Sequence, residues 1–473
     1  MNKFYVTTAI PYVNAKPHVG HALEFVQADV IARHHKLKGN KVLLLSGADE
    51  NALKNVHAAE EENIPIQEFV DTNSALFKKL AEKLNVDFDV FQKGSSSDHH
   101  KASQKLWERC FKNNDIYKKG YSGLYCVGCE LFYEKTELNE KGECFEHPGK
   151  KLEEVREENY FFKLSKYQDQ ILKLIKTDEL KIIPLIRKNE AVSFIKQGLK
   201  DISISRSNKR ARNWGVDVPN DLNQKMYVWF DALNIYQSGI GFGTNEDKYN
   251  KWWPADLHVI GKGILRFHAV YWPAFLLSAR LSLPKSIFVH GYLTVDGQKM
   301  SKTIDNVIDP VDLINKYGVD AVRYYLLREI PSTADGNFSE NRFKEVYNAD
   351  LANNLGNLVS RVAKLCEQNN FVLKGTNPKV NHIIKKNLED FSFNTALINI
   401  WAKVNLINQI INKDEPWKIS NEKKLKERLY LYVNDIVSVA YDLKPFLPET
   451  AEKIEEQFKG PQIKSAIPLF PRI

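Results

Sequence analysis

The fold is decided by the stretch from residue 3 to residue 45, which begins KFYVTTAIPYVNAKPHVGH (residues 3–21). Residues 3–8 have the β-branched and aromatic character of a buried strand, and Pro11 prevents that strand from continuing. Apolar positions recur with helical spacing between residues 22 and 35, and residues 41–45 resemble a second buried strand. Strand, loop, helix and strand in this order predict a doubly wound parallel α/β sheet, whose ligands bind beyond the carboxyl ends of its strands.

The start of the first predicted helix carries two histidines, His18 and His21, with Gly20 between them. A helix start presents free N–H groups and the positive end of the helix dipole, which favour phosphate binding. Histidines three residues apart share one helical face, and glycine lets a nucleotide lie against the backbone. The pattern fits two imidazoles that stabilise charge on a reacting phosphate, although two ordinary surface histidines would give the same spacing.

A second strand and loop follow near residue 290. Residues 286–290 have the pattern of a short strand, and Asp296-Gly297 is a strong hairpin-turn signal. Lys299 and Lys302 stand on the loop that follows this turn. Two lysines on a mobile loop can close on a triphosphate as point charges, and an ordinary solvated loop is the equal alternative.

The two motifs together are more specific than either alone. H-x-G-H after the first strand and K-M-S-K-[S/T] late in the same sheet resemble the paired signatures of class I aminoacyl-tRNA synthetases, with Thr303 in place of the usual serine. The resemblance implies a Rossmann-type fold and assigns catalysis to His18, His21, Lys299 and Lys302. It implies that ATP, with its Mg²⁺, binds His18, Gly20, His21, Gly261, His290, Gly291, Lys299, Ser301 and Lys302.

Further segments resemble the methionyl branch of this class, namely the strand-end loop at 9–12, the W-x-D-A segment at 229–232 and the helix at 267–273. The resemblance implies that L-methionine binds Ile10, Tyr12, Asp49, Trp229, Ala232, Leu233, Tyr236, Phe267, His268 and Trp272. Aromatic walls suit a thioether, since sulfur–aromatic contacts contribute about 0.3–1.5 kcal/mol each, although these rings could also simply pack a core. The sequence departs from the branch at Asn51-Ala52 and at Gly263, where the branch has a carboxylate near the nucleotide.

Cysteine and histidine residues cluster in the middle of the chain. The pattern C-x2-C followed by C-x2-H is formed by Cys126, Cys129, Cys144 and His147. It predicts closed tetrahedral coordination of one structural Zn²⁺ per chain, in a knuckle that holds together an insertion with little core of its own. A knuckle that binds no metal is the alternative. The other two cysteines, Cys110 and Cys366, lie in helical patterns and are expected to be buried and unreactive.

From about residue 341 the sequence changes to helical periodicity, with amphipathic helices predicted at 348–365, 393–411 and 424–443. This pattern predicts an all-α antiparallel bundle. Resemblance to the methionyl enzymes implies that the tRNA anticodon contacts Asn357, Arg361 and Trp417, since amide and guanidinium groups bind base edges and tryptophan stacks on bases. The alternative is a polar helix face with a core tryptophan.

These patterns divide the chain into four predicted parts. They are the first half of the sheet domain (1–115), an insertion (116–225) with the knuckle at 126–147, the second half with the lysine loop (226–340), and the anticodon-binding bundle (341–473). The 67 basic and 59 acidic side chains give a net charge of +8, a mild excess that suits a tRNA partner.

The sequence contains no apolar run of the roughly 18–20 residues that span a bilayer, and its N-terminus lacks the pattern of a signal peptide. A cytoplasmic protein with no membrane contact is therefore expected. The chain leaves no room for an appended dimerising domain, so a monomer is expected.

The expected activity is ATP-dependent activation of L-methionine and its transfer to the 3′-terminal adenosine of initiator and elongator tRNA(Met). One rival is a class I enzyme for leucine, valine, isoleucine or cysteine. The branched-chain enzymes usually carry a large editing insertion that this chain lacks, and a cysteinyl enzyme would spread its zinc ligands across the sheet domain. A rival of another kind is a tRNA-binding relative without catalysis, which would show no ATP–pyrophosphate exchange.

Overall fold

The computed structural model describes residues 2–133, 135–147, 149–300, 306–378 and 381–473. The chain forms two compact units, each assembled from separate segments: residues 1–17, 39–81 and 87–290 in the first, and residues 18–38, 82–86 and 291–473 in the second. The four-part division drawn from the sequence stays a prediction.

The strands of the described residues are β1 (Lys3–Thr8), β2 (Lys41–Ala48), β3 (Val90–Lys93), β4 (Ile116–Cys126), β5 (Leu131–Tyr133), β6 (Glu153–Phe162), β7 (Lys181–Ile183), β8 (Ile202–Ser203), β9 (Ser205–Ser207), β10 (Asp217–Val218), β11 (Asp221–Met226), β12 (Leu257–Gly261), β13 (Ser286–His290), β14 (Leu293–Val295), β15 (Gln298–Lys299) and β16 (Gly336–Phe338).

The α-helices are α1 (Val19–Leu37), α2 (Leu53–Glu62), α3 (Ile66–Lys83), α4 (Ser97–Lys112), α5 (Gln168–Lys176), α6 (Leu185–Lys196), α7 (Val228–Ala232), α8 (Ile235–Ser238), α9 (Glu246–Trp252), α10 (Trp272–Ser278), α11 (Pro310–Tyr317), α12 (Val319–Arg328), α13 (Glu340–Val346), α14 (Asn357–Gln368), α15 (His382–Glu389), α16 (Phe393–Asp414), α17 (Glu422–Leu443) and α18 (Pro448–Gln457). Segments Phe267–Tyr271 and Tyr347–Gly356 are π-helical, and Lys262–Ile264 and Pro416–Lys418 are 3₁₀-helical.

The central sheet of the first unit is parallel throughout, with strand order β3-β2-β1-β12-β13-β7. This order confirms the predicted doubly wound fold. Strand β1 lies in the middle, with Tyr5 opposite Leu43 of β2 and Val6 opposite Leu257 of β12. The chain leaves β1 towards β2 on one side and returns as β12 on the other. The carboxyl ends of β1 and β12 therefore form the topological switch point at which such sheets bind ligands.

Strand β2 is longer than the sequence pattern predicts, because it continues through Gly47 to Ala48. Gly47 pairs with Gln92 of β3, and a Cβ at Gly47 would lie 2.3 Å from the Gln92 carbonyl oxygen. Glycine here permits a close approach of two strands rather than a turn. The predicted helix at 348–365 also differs, since its first part is π-helical and α14 begins only at Asn357.

The insertion is built on the long antiparallel pair of β4 and β6, which β5 and β8 extend to a four-stranded sheet in the order β5-β4-β6-β8. Strand β4 ends at Cys126, and the turn from β4 to β5 contains Cys129. The sheet therefore places the first two predicted metal ligands at one end of a hairpin. A separate small sheet has the order β10-β11-β9.

In the second unit a buried ion pair joins α1 to α12. Arg323 Nη2 lies 2.7 Å from Asp29 Oδ2, and the same guanidinium donates to the carbonyls of Leu84 and Phe446 at 3.0 and 2.8 Å. Removal of Asp29 would leave the fully buried Arg323 guanidinium without its carboxylate partner, which makes this pair a strong constraint on the position of α1. The same unit contains the small sheet β15-β14-β16 and the helices α11–α18.

Two smaller expectations, the hairpin turn and the buried cysteines, are confirmed. Asp296 and Gly297 have φ values of 46° and 79°, and they join β14 and β15 in the predicted antiparallel hairpin. Cys110 and Cys366 are buried, and burial raises the pKa of each thiol to about 12. Among the described residues, none of the helices combines the length and the hydropathy that a bilayer crossing requires.

Candidate active site and metal centre

Three aromatic rings from separate segments meet in the first unit. Tyr12 follows β1, Trp229 lies in α7 and Phe267 begins a π-helical segment. The ring centroids of Tyr12 and Trp229 are 6.2 Å apart in an edge-to-face arrangement, and Trp229 stacks on Phe267 at 3.6 Å with planes 4° apart. These three residues, called here the aromatic wall, form a continuous apolar surface of the kind that suits a thioether.

Asp49 lies beside the aromatic wall. Its N–H donates to the Pro11 carbonyl at 2.9 Å, and an isolated parallel bridge pairs it with Tyr12. Burial, reinforced by the carboxylates of Asp231 and Glu130, raises the pKa of Asp49 well above its usual value. A bound cation stabilises the ionised form of a buried carboxylate more strongly than that of an exposed one. Asp49 is therefore suited to bind an ammonium group.

The remaining residues predicted to bind methionine lie in the same unit. Tyr236 Oη and His268 Nε2 are 2.7 Å apart, and His268 Nδ1 lies 3.0 Å from the Ile264 carbonyl. Because the carbonyl can only accept, Nδ1 carries the proton of the neutral ring and Nε2 accepts from the Tyr236 hydroxyl. Burial lowers the pKa of His268 to about 4, so the ring is neutral at pH 7.

Ile10, Ala232, Leu233 and Trp272 differ in what they contact. Ala232 and Leu233 are buried, and Ile10 is half-buried against the hydrophobic core. Trp272 is fully buried, and its ring contact among the described residues is with Trp253, at a centroid separation of 6.1 Å. The structure therefore brings the aromatic wall together without Trp272, whose part in methionine binding stays a prediction.

Buried polar atoms without a hydrogen-bond partner among the described residues occur in this unit. They include Tyr12 Oη, Trp229 Nε1, Asp231 Oδ1 and Trp272 Nε1. An unpaired buried polar group costs about 1–3 kcal/mol, so a ligand with donors and acceptors would offset part of this cost. Two of these atoms belong to the aromatic wall, which suits a ligand that is apolar in one part and polar in another.

The predicted phosphate-binding histidines begin α1 in the second unit. His18 is the N-cap, and its Nδ1 accepts from the Gly20 N–H at 3.1 Å, while His21 Nδ1 accepts from the His18 N–H at 3.1 Å. The two rings are 3.9 Å apart. With Nδ1 accepting in both, each neutral ring carries its proton on Nε2. Burial lowers the pKa of His18 to about 4, so its Nε2–H is a neutral donor.

The segment around the lysine loop belongs to the same unit as this helix start. A Cβ placed on Gly20 would lie 2.9 Å from the His18 ring and 3.5 Å from Met300 Cε, so only glycine leaves this space open. The Val19 N–H donates to the Ile308 carbonyl at 3.1 Å. Ser301, Lys302 and the side chain of Lys299 lie outside the described residues, so the predicted lysine contacts stay predictions.

The other residues predicted to bind ATP stand at strand ends. Gly261 ends β12 and His290 ends β13, and the two are register partners. A Cβ on Gly261 would lie 3.5 Å from His290 Cε1, so the two residues are in close contact at the carboxyl edge of the sheet. Gly291, in the second unit, lies so close to the Ala334 carbonyl group that a Cβ would approach it to 2.2 Å.

The four predicted metal ligands are brought together in the first unit. Cys144 Sγ lies 3.3 Å from Cys126 Sγ and 3.7 Å from Cys129 Sγ, and His147 Nδ1 lies 3.2 Å from Cys129 Sγ. All four ligand atoms lie within 4.8 Å of one another. Ligands about 2.3 Å from one tetrahedral ion would be separated by roughly 3.8 Å, so these residues fit a metal ion. Hydrogen bonding, first of all with Cys129, lowers the pKa of Cys126 below its usual value.

Comparisons with known proteins agree with this geometry. A family model described as tRNA synthetases class I (M) matches residues 4–363. The methionine–tRNA ligase of Brucella melitensis biotype 1 is 42% identical over 481 aligned positions, which cover 98% of this chain and 93% of that protein. The methionine–tRNA ligase of Clostridium acetobutylicum is 41% identical, with 96% and 73% covered.

The solved Mycobacterium tuberculosis methionyl-tRNA synthetase in complex with methionyl-adenylate matches this structure with a TM-score of 0.93. It is 37% identical and is covered completely, as is this chain. The chain belongs to the methionyl-tRNA synthetase family of class I. Membership in this family confirms the resemblance drawn from the signature motifs and decides against a leucine, valine, isoleucine or cysteine enzyme.

In the helical bundle of this methionyl-tRNA synthetase family member, the three predicted anticodon residues lie near the surface. Asn357 is exposed and Trp417 is 55% exposed, so the interpretation of Trp417 as a core residue is wrong. Arg361 places its guanidinium 5.1 Å from the Trp417 ring and donates to Asn412 Oδ1 at 2.7 Å. A cation and an exposed ring are thus held together on one surface.

Sequence reasoning missed a buried polar network next to Asp49. Glu130 is fully buried, and its Oε2 lies 3.4 Å from Arg206 Nη1. Lys54 lies over the Tyr12 ring and donates to a knuckle carbonyl. Lys54 and Glu130 carry no motif, and the place of Glu130 directly after the second cysteine is the one signal that could have pointed to it.

The Asn51-Ala52 departure from the family pattern has a structural account. Asn51 Nδ2 donates to Asp231 Oδ2 at 2.6 Å and to the Gly94 carbonyl at 2.9 Å. Ala52 is the N-cap of α2 with φ −69°, a conformation that any residue adopts. The departure therefore leaves the site intact at these two positions. Gly263 lies exposed in the 3₁₀ segment after β12.

Proposed function

We propose that this chain activates L-methionine with Mg²⁺-bound ATP and transfers it to initiator and elongator tRNA(Met) in the cytoplasm, as a monomer. The observation that carries the proposal is the buried Asp49 beside the aromatic wall. In the first step, a carboxylate oxygen of methionine attacks the α-phosphorus of ATP, and the bond to pyrophosphate breaks. In the second, the 3′-terminal hydroxyl of tRNA attacks the acyl carbon of methionyl-adenylate, and AMP leaves.

Methionine is assigned to the first unit. Asp49 pairs with the substrate ammonium, and the aromatic wall surrounds the side chain. Tyr12 Oη is buried without a hydrogen-bond partner among the described residues, so its O–H is available to donate to the thioether sulfur. Tyr236 and His268 bond to each other and are assigned to the pocket wall. Ile10, Ala232, Leu233 and Trp272 complete the assigned set.

Phosphate binding and catalysis are assigned to the H-x-G-H and K-M-S-K motifs. The Nε2–H groups of His18 and His21 donate to phosphate oxygens on which negative charge grows in the transition state. Lys299 and Lys302 add positive charge, and the Mg²⁺ that accompanies ATP neutralises phosphate oxygens. Gly20, Gly261, His290, Gly291 and Ser301 complete the assigned ATP contacts.

The metal centre is assigned to Zn²⁺. Three thiolates and one imidazole are the ligands that zinc prefers, and four protein ligands leave no open position for a reacting water. When bound, the ion supplies cross-linking rather than chemistry. Cys126, Cys129, Cys144 and His147 would hold it.

The anticodon is assigned to the surface of Asn357, Arg361 and Trp417. An exposed tryptophan offers a stacking face, and the amide and guanidinium groups can read base edges. The basic excess of the whole chain, +8, favours tRNA over a neutral partner.

The test is ATP–pyrophosphate exchange with zinc-loaded protein, screened across the twenty amino acids. Exchange with methionine alone supports the class, the pocket and the competence of the Gly263 departure together. Exchange with another amino acid instead would overturn the pocket assignment. A folded, zinc-loaded protein that supports no exchange with any amino acid would favour the tRNA-binding relative without catalysis.

A further inference from the structure

One lysine contacts both the metal centre and the methionine pocket. Lys54 Nζ donates to the Gly128 carbonyl at 2.8 Å, and it lies 3.3 Å from the centroid of the Tyr12 ring. Gly128 stands between Cys126 and Cys129 in the knuckle. A single ammonium therefore has the backbone of the metal knuckle on one side and the aromatic wall on the other.

The knuckle end of this link is tightly fixed. A Cβ at Gly128 would lie 2.7 Å from the His147 ring, so this short loop is held between its neighbouring cysteines and the histidine ligand. A metal ion held by Cys126, Cys129 and His147 would therefore fix the position of the Gly128 carbonyl. Loss of the ion would release the loop and, with it, the acceptor of Lys54.

A second contact holds the backbone of the same lysine. Glu130, the residue after Cys129, accepts the Lys54 N–H through Oε1 at 3.2 Å. Its Oε2 accepts from the Tyr125 hydroxyl and lies 3.4 Å from Arg206 Nη1. The knuckle therefore holds both the backbone and the ammonium of Lys54, at the start of α2.

The pocket end of the link leads to the substrate. An ammonium over a tyrosine ring is attracted by the negative face of the ring, and the attraction grows when water is excluded. Tyr12 meets Trp229 edge-on at 6.2 Å, and Trp229 stacks on Phe267 at 3.6 Å. A shift of Lys54 would therefore change the support of the whole aromatic wall.

We propose that Lys54 is a positioning residue that couples metal occupancy of the knuckle to the affinity for methionine. The inference rests on the proposed function, because it needs the aromatic wall to be the methionine site. Coupling between two binding sites is reciprocal, so methionine must tighten metal binding by the same factor by which the metal tightens methionine binding.

The test measures the Kd of methionine by the change in tryptophan fluorescence of the full chain, with Zn²⁺ bound and after its removal by a chelator. The variants are Lys54→Met, which keeps the length without the charge, and Lys54→Arg, which keeps the charge. Lys78→Met is the matched control, since it removes an exposed lysine of α3 in the same unit.

In the unchanged chain and in Lys78→Met, zinc removal should raise the Kd of methionine about tenfold. Lys54→Met should raise it about tenfold with zinc bound, and zinc removal should then add less than about a factor of two. Lys54→Arg should keep part of the coupling. A normal Kd in zinc-loaded Lys54→Met, or two effects that simply multiply, would overturn the proposal.

A second measurement keeps the proposal testable if the zinc-free protein folds poorly. The Zn²⁺ affinity, measured by competition with a chromophoric chelator, should rise about tenfold when methionine saturates the unchanged chain, and should not change in Lys54→Met. An equal rise in both proteins would sink the role of Lys54 and leave the proposed function standing. No methionine binding by the zinc-loaded unchanged chain would instead remove the proposed function itself.

Discussion

The proposed methionine pocket of the first unit and the proposed phosphate-binding histidine pair of the second unit are specified in different ways. The pocket needs residues 12, 49, 229 and 267 from four separate segments, all brought together by the parallel sheet and its connections. The histidine pair needs four consecutive residues, 18–21, whose rings are held by N–H groups of the same helix start. The residues proposed for amino acid recognition are thus assembled by long-range packing, whereas those proposed for phosphate recognition are held by local backbone geometry.

This difference predicts separate consequences for substitutions in the two places. A change in the histidine pair should lower the rate of the chemical step and leave the fold intact. A change in the pocket should alter the affinity for methionine and, through burial, the stability of the protein.

The largest effect is expected for His18→Asn. Asparagine is as good an N-cap as the best residues, so α1 should stay capped, but the Nε2–H donor is lost. We expect kcat for methionine-dependent ATP–pyrophosphate exchange to fall about 10²–10³-fold with little change in KM for methionine. Thermal unfolding should be almost unchanged.

His18→Ala is the matched variant for the same position. It should lose the same catalytic factor and also about 1 kcal/mol of stability, since alanine cannot cap the helix. If His18→Asn unfolds as easily as His18→Ala, the cap geometry described here is wrong.

The next effect is expected for Asp49→Asn. The substitution removes the only charge assigned to the substrate ammonium and keeps the shape of the side chain. We expect KM for methionine to rise about 10²-fold, with KM for ATP within a factor of two, in exchange kinetics. An equal rise of both KM values would show that the pocket had collapsed and that Asp49 is structural.

The affinity for methionine should also depend on pH, through the ionisation of Asp49. Burial raises the pKa of Asp49 above its usual 3.8, and methionine binding needs the ionised carboxylate. The Kd of methionine should therefore rise as the pH falls through that raised pKa, and Asp49→Asn should lack this dependence. Fluorescence titrations with methionine between about pH 4.5 and 8 would check it.

The stability of the ligand-free protein should depend on the protonation of Asp49 in the opposite direction to methionine binding. The native carboxyl keeps its proton to a higher pH than the unfolded chain, so its stabilising contribution is present below the unfolded pKa and is lost as the pH rises through the folded pKa. Ligand-free Asp49→Asn should therefore be at least as stable as the unchanged chain at pH 7, as urea unfolding can measure. A clearly less stable variant would contradict the described burial of the charge.

The smallest effect is expected for Trp417→Ala in the bundle. Loss of one stacked base costs about 1–3 kcal/mol, so kcat/KM for tRNA(Met) should fall about tenfold or more while ATP–pyrophosphate exchange is unchanged. Trp417→Phe keeps a stacking face and should retain most of the activity. A parallel loss of exchange in Trp417→Ala would argue that this surface supports the fold instead of binding tRNA.

The sequence was sufficient where local structure depends on nearby residues. The strand at 3–8, the Cys-x2-Cys pair and the Cys-x2-His pair are short patterns, and the sheet order and the metal cluster agree with them. The role of the histidine pair stays a prediction. The hairpin at Asp296-Gly297 was predictable because few residues adopt positive φ at both positions.

The sequence was insufficient where tertiary contacts decide. The sequence pattern ended the second strand at residue 45, and only the pairing of Gly47 with β3 shows why glycine is needed there. Lys54 and Glu130 have the ordinary pattern of a helix start and a turn, and their link to the knuckle needs contacts between distant segments. Trp417 could be either core or surface by periodicity alone, and its exposure required the structure.

We propose that methionine recognition and phosphate chemistry belong to separate residue sets, and exchange kinetics of Asp49→Asn and His18→Asn, measured side by side, would tell the two sets apart. We expect a rise in KM for methionine with nearly normal kcat in the first variant, and a fall in kcat with nearly normal KM in the second. If both variants lose kcat and affinity together, or if their effects are reversed, the assignment of the two sites is contradicted.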